Sequence, residues 1–183
     1  MIKKVVAYIT NLWYILIENR ESGNMAVLLK KRVRIFDVAN FFLKVVDRES
    51  GSTITPLKLQ KLLYYAQGYY LAINGKELFG EDFQAWAHGP ANVGIYEKYK
   101  SFGSNCLPEP TEEIASCLSP SIIEFLYDIW NTFGIYDGKY LEILTHKETP
   151  WIKAREGYKP GERCNVVITK ESMKEFFKEK LNV

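Results

Sequence analysis

Thr55-Pro56 and Gly75 bracket the stretch that most constrains this chain. A threonine followed by proline opens a helix well, because the hydroxyl accepts a free backbone N–H of the first turn and proline loses nothing where its own N–H would have no partner. Glycine readily takes the left-handed conformation that closes a helix. Between these signals Leu59, Leu62, Leu63, Ala66, Tyr69, Tyr70 and Ile73 recur at helical spacing. The spacing predicts a helix from Pro56 to about Asn74, long enough to be the central element of a helical fold. Lys58 and Lys61 are three apart and so share a face. That face reads as solvated lysines opposite the leucines, with a local phosphate-contacting patch as the alternative.

The same logic divides the rest of the chain. Val38, Ala39, Phe41, Phe42, Val45 and Val46 mark a helix from Asp37, which is available to cap its first turn, to a stop at Gly51-Ser52. Phe83, Ala85 and Ala87 alternate with Gln84, Trp86 and His88, the period of a short strand, which Gly89-Pro90 breaks before a helix running from Val93 to Gly103. Ser119-Pro120 begins an apolar helix that ends at Gly134, a shorter one follows near Gly138–Leu144, and Thr149-Pro150 opens a turn of helix carrying Trp151. Asn165–Ile168 reads as a second strand, and Thr169 caps a last helix with Met173, Phe176, Phe177 and Leu181 inward. Two short strands in a helical chain most simply pair with each other. The expected class is therefore mainly α, in the α+β sense: a compact multi-helix assembly with one small antiparallel sheet of two or three strands.

At 183 residues the chain suits one domain, residues 35–183, preceded by an extension at 1–34. That extension carries a net charge of +5 and leaves −3 for the remainder, so a nucleic acid or anionic surface would have to be met by its Lys30-Lys31-Arg32-Val33-Arg34 run. Its Ile2, Val5, Val6, Ile9, Leu12, Trp13 and Leu16 have the spacing of an amphipathic helix, and the segment is too short and too interrupted to span a bilayer. Met25, after a polar turn, is an alternative start. Cys106, Cys117 and Cys164 are odd in number and widely spaced, as in a reduced cytoplasmic protein, and give no zinc or redox pattern.

No local signature of a serine hydrolase, nucleotide-binding loop or zinc protease occurs, and no cofactor is implied. His88 and His146 are the only histidines. They could build an acid–base site in a hydrolase-like enzyme, but His88 at a strand end could equally bond neighbouring backbone, and His146 near a helix C-terminus sits where a cation is favoured. A DNA-binding regulator acting through the N-terminal arm is a third reading. The 12 tyrosines, 10 phenylalanines and 4 tryptophans suit both a well-filled core and a protein-binding face.

Particular strings then stand out in order: Asp37-Val38-Ala39-Asn40-Phe41-Phe42, Ile54-Thr55-Pro56-Leu57-Lys58-Leu59-Gln60-Lys61-Leu62-Leu63-Tyr64-Tyr65-Ala66-Gln67-Gly68, Gln84-Ala85-Trp86-Ala87-His88-Gly89-Pro90 with Tyr96, and Leu144-Thr145-His146 with Pro150-Trp151. Together they resemble the Panacea domain family of SocA-type antitoxins and GepA-like phage-associated proteins, from about Ile35 to Leu181. The resemblance implies an antitoxin that binds a cognate toxin encoded by an adjacent gene. For SocA-type members it also implies delivery of the toxin to a bacterial protease, and it leaves a homodimer open. The residues singled out as partner contacts are Lys58, Lys61, Tyr64, Tyr65, Trp86, His88, Gly89, Pro90, Tyr96, His146 and Trp151. Gly68 reads as a site of close helix packing, and Trp86 and Trp151 serve equally well as core anchors.

Overall fold

In the computed structural model the described residues are 32–182, apart from Glu112 and Ser116. The expected N-terminal helix and most of the 1–34 extension lie outside them. Seven α-helices and a three-stranded sheet follow in the order α1 (Ile35–Lys44), α2 (Pro56–Asn74), β1 (Phe83–Trp86), β2 (Gly89–Ala91), α3 (Val93–Tyr99), α4 (Pro120–Phe133), α5 (Gly138–Thr145), α6 (Thr149–Ala154), β3 (Val167–Ile168) and α7 (Lys170–Leu181). A 3-10 turn, Lys100–Phe102, extends α3 to Gly103. The mainly helical class with one small antiparallel sheet is thus the observed one.

The central helix forms where its signals place it. The Thr55 hydroxyl accepts from the Lys58 N–H at 3.3 Å, Pro56 occupies the first turn, and Gly75 closes the helix in the left-handed conformation. What differs is its surroundings. Every residue from Lys58 through Tyr69 is buried, because α1, α3, α4, α5, α7 and β2 all pack on it. A helix enclosed on all sides must find an internal partner for each polar side chain it carries.

Its C-terminal half meets aromatic rings. Tyr65 stacks on Phe133 of α4 at 4.1 Å, and Tyr69 and Tyr64 pack on Phe177 of α7 at 4.7 and 5.6 Å. Such pairs add about 0.5–1.5 kcal/mol each beyond their burial. The ring of Phe177 lies so close to Gly68 that a Cβ there would stand 2.1 Å from it, so glycine is what lets α2 and α7 approach.

Three expectations need correction. Helix α1 begins at Ile35, two residues earlier than expected, and Asp37 sits inside its first turn, where it accepts from the Arg34 backbone N–H at 2.9 Å. It stops at Lys44, well short of Gly51, because the next residues prefer a turn: Asp47 accepts from the Ser50 N–H at 3.0 Å, and the Ser50 hydroxyl donates to the Asp47 carbonyl at 2.9 Å. Gly89-Pro90 does not merely end β1. The chain reverses through Ala87-His88 and returns as β2, pairing Trp86 with Gly89 and Ala85 with Pro90. β2 is an edge strand, where the N–H that proline lacks is not needed. On the other side of β1, β3 pairs Phe83 with Ile168 and Gln84 with Val167, the expected pairing of the two distant strands, although only two residues of the 165–168 run form the strand.

Candidate functional site

The lysines of α2 overturn the solvated-face reading. Lys58 and Lys61 are 6% and 1% exposed. Lys58 reaches past the start of its helix to donate to the Gly134 carbonyl at 2.6 Å and the Thr53 carbonyl at 3.2 Å, and it lies 5.2 Å from the Trp130 ring. It thereby places a cation at the C-terminal end of α4, where the helix dipole favours one. Lys61 donates to the Pro90 carbonyl of β2 at 2.9 Å. Burial lowers its pKa to about 7, although Glu142 and Glu148 pull the other way. Buried and engaged in this way, neither lysine is available to contact phosphates.

Lys61 also explains Gly89. With φ at +90°, Gly89 has a conformation that other residues rarely adopt, and a Cβ there would lie 2.7 Å from both the Lys61 ammonium and the Thr145 hydroxyl. Next to it, Gln60 clamps the end of β2, accepting from the Asn92 N–H at 2.8 Å and donating to the Asn92 carbonyl at 2.9 Å. The Asn92 side chain then caps α3 by accepting from Ile95 N–H at 3.0 Å and donates to the Asp82 carbonyl at 2.8 Å. Central helix, hairpin and α3 are thus locked into one rigid frame.

The carboxylates around this frame behave differently from one another. Burial pushes Glu142 up, but the His88 ring at 2.9 Å and Lys139 at 3.0 Å outweigh it and hold the group below its ordinary range. Glu148 has one bond, from the Tyr65 hydroxyl at 3.2 Å, and its Oε2 has no hydrogen-bond partner among the described residues. Burial dominates there and raises its pKa to about 7. His146 caps the C-terminus of α5 and stacks on Trp151 at 4.2 Å; burial lowers its pKa. The expectation that His88 would bond local backbone fails, because the α5 carboxylate stands within reach of its ring.

Between these elements lies an open groove of about 930 Å³. The start of α2 (Pro56, Leu57), the hairpin (Trp86 to Gly89), α3 (Ile95, Tyr96), the start of α5 (Asp137 to Lys139) and the 161–165 loop form its walls, with Lys61 beneath. Trp86 packs edge-on against Tyr96 at 4.9 Å, and Trp151 donates to the Trp86 carbonyl at 2.9 Å from behind. Arg155 steadies the loop wall, donating to the carbonyls of Ala85, Lys159 and Glu162 at 2.7, 3.1 and 2.8 Å.

Of the eleven residues singled out from sequence, Lys61, Trp86, His88, Gly89 and Tyr96 line this groove. Lys58, Tyr64, Tyr65, Pro90, His146 and Trp151 are not among its lining residues, and Trp151 reaches the groove wall through the Trp86 carbonyl. Gln60, Asn92, Glu142, Glu148 and Arg155, which build the frame, were not singled out as contacts. Gln60 stands in one of the strings that carry the resemblance, and Asn92 carried a local signal, an N-capping residue just before the helical spacing of α3. Among the described residues no group of three or more His, Cys, Asp or Glu could hold a metal ion, and no helix is long and apolar enough to cross a membrane.

Comparison with known proteins fits this frame. Residues 59–152, from α2 to the middle of α6, match the family described as Antitoxin SocA-like, Panacea domain. The chain is 40% identical over 50 residues to Antitoxin SocA of Caulobacter vibrioides (strain NA1000 / CB15N), a match that spans 27% of this chain and 27% of that relative. No solved structure matches the chain. Since the family match takes in just over half of the sequence, including the buried lysine, the hairpin and α5, this chain belongs to the Antitoxin SocA-like, Panacea domain family.

Proposed function

We propose that this chain is an antitoxin that neutralises a cognate toxin protein, the product of an adjacent gene, by binding it directly in the cytoplasm. Residues 35–183 form the recognition domain, and the groove between α2, the β1–β2 hairpin, α3 and α5 is the face that grips the toxin. The observation that supports this reading is the groove itself. It is rigidly framed by buried hydrogen bonds yet open, and exposed Tyr96 and half-buried Trp86 stand on its wall. Aromatic anchors on a preorganised wall are what a protein interface needs, because little ordering cost is left at association.

Binding alone then accounts for neutralisation. The test pairs growth of a bacterial host expressing the adjacent gene, with and without this chain, with a pull-down of the two products. The expected result is rescue accompanied by a stable complex, and Tyr96→Ala weakening the complex by about tenfold or more, as loss of a hot-spot ring does. Absence of both rescue and complex with the unaltered chain would sink the proposal.

A further inference from the structure

Taking the groove as the partner-binding face, we infer that the segment it accepts is acidic: an extended stretch of the partner in which carboxylate side chains flank an apolar or aromatic residue. The charges around the groove carry the argument. Residues 35–183 have a net charge of −3, yet the groove presents the exposed cations Lys139 and Arg163 on its lining, with Asp137 as the one carboxylate there among the described residues. Asp137 is already occupied, accepting from the Tyr140 N–H at 2.7 Å as the cap of α5. The neighbouring carboxylate of Glu142 is buried and held by His88 and Lys139.

The cations remain presented to solvent. The side chain of Lys139 is 71% exposed, and its ammonium can donate to a second acceptor beside Glu142. α2 and α5 also begin on this rim, at Pro56 and Gly138, with a Cβ at Gly138 only 3.0 Å from the Lys58 backbone nitrogen. Both helix starts add partial positive charge to the same end of the groove.

The walls between the charges are apolar. Leu57, Trp86 and Tyr96 offer a surface for a side chain rather than for a sugar–phosphate backbone. The groove volume sits near the upper end of the roughly 300–1,000 Å³ seen for small-ligand pockets, which leaves room for a short peptide segment. A nucleic acid would instead need cations spread along its length, and outside the groove this body is net acidic.

The experiment is fluorescence anisotropy with the full chain and three labelled probes: a short peptide with Asp and Glu around a Leu-Tyr pair, the same peptide with Lys at the acidic positions, and a single-stranded oligonucleotide of similar length. The expected result is binding of the acidic peptide alone, weakening as salt rises, with Lys139→Glu plus Arg163→Glu reducing its affinity by about tenfold or more. Both substituted residues are exposed; circular dichroism checks the fold, and Arg163→Gln alone, with a smaller loss, serves if the double variant misfolds. Equal binding of the two peptides, preference for the oligonucleotide, or an affinity unmoved by charge reversal overturns the inference. If the adjacent-gene product binds the unaltered and charge-reversed chains equally, this inference falls while the antitoxin reading stands. If the acidic peptide is selected but that product is not bound, the reverse holds.

Discussion

The two halves of α2 carry similar sequences into opposite surroundings. Each has a glutamine that clamps a neighbouring loop: Gln60 holds Asn92, and two turns later Gln67 accepts from Leu78 and Phe79 and donates to the Phe79 carbonyl at 2.8 Å. Beyond that they diverge. Around Gly68 and Tyr69 the helix is wrapped by Phe133 and Phe177, and fit is set by shape. Around Lys61 it meets the Pro90 carbonyl, with the buried carboxylates of Glu142 and Glu148 close enough to act on its charge, and fit is set by which groups hold protons. The lesson is that the dry half supplies stability and the polar half holds up the groove, so damage to the two should look different.

The largest effect is expected in the dry half. Phe177→Ala removes a ring that touches Tyr64, Tyr65 and Tyr69, and should cost about 3–5 kcal/mol in urea unfolding with little change in pH dependence. Gly68→Ala should cost about 1–3 kcal/mol by overpacking. Since its Cβ would occupy the space of that same ring, the double variant should lose clearly less than the sum. Simple additivity would mean that the two helices do not meet at Gly68.

The polar half should answer to pH. Lys61 has a folded pKa depressed to about 7, so it contributes stability that is present above its unfolded value near 10.5 and is lost as pH falls through about 7. Glu148 has a folded pKa raised to about 7, so its contribution is present below about 4.5 and is lost as pH rises through about 7. Lys61→Met should therefore flatten the rise in stability between about pH 7 and pH 10, a slope that for one proton cannot exceed about 1.4 kcal/mol per pH unit. Glu148→Gln should remove the fall from about pH 4.5 to about pH 7. His146, whose lowered pKa works in the opposite sense over the same acid range, makes the difference between variant and unaltered chain the quantity to read. Parallel stability curves would remove the distinction between the halves.

The same contrast explains what the sequence disclosed. Caps and apolar spacing are local, so Thr55, Gly75, Ser119 and Thr169 located α2, α4 and α7 closely. Burial of Lys61 depends on a carbonyl 29 residues away, and the clamp on Asn92 on a glutamine 32 residues away. Spacing tells that Lys58 and Lys61 share a face, but not whether that face meets water or another helix. Gly89-Pro90 was legible as a break and not as a strand, because proline is tolerated in a ladder only when the strand lies at an edge, which is a property of the sheet. For the groove, the hairpin and Tyr96 were legible because aromatic residues and a Gly-Pro element cluster there. Arg155 was not, since its role is to tie the 159–162 loop to Ala85, 70 residues upstream.

The smallest predicted effect tests the seam between the halves. Tyr65 belongs to both: its ring stacks on Phe133 at 4.1 Å, while its hydroxyl donates to Glu148 at 3.2 Å. Tyr65→Phe keeps the ring and deletes only the donor, so the dry half should be untouched and the cost should be about 1 kcal/mol. Because that bond favours the ionised carboxyl, losing it should push the Glu148 pKa further up, and the cost should be larger at about pH 8 than at about pH 5. Urea unfolding of the two proteins at both pH values measures the difference. A cost equal at both would mean that the hydroxyl does not sense the charge on Glu148, and that the pH dependence assigned to the polar half has its origin elsewhere.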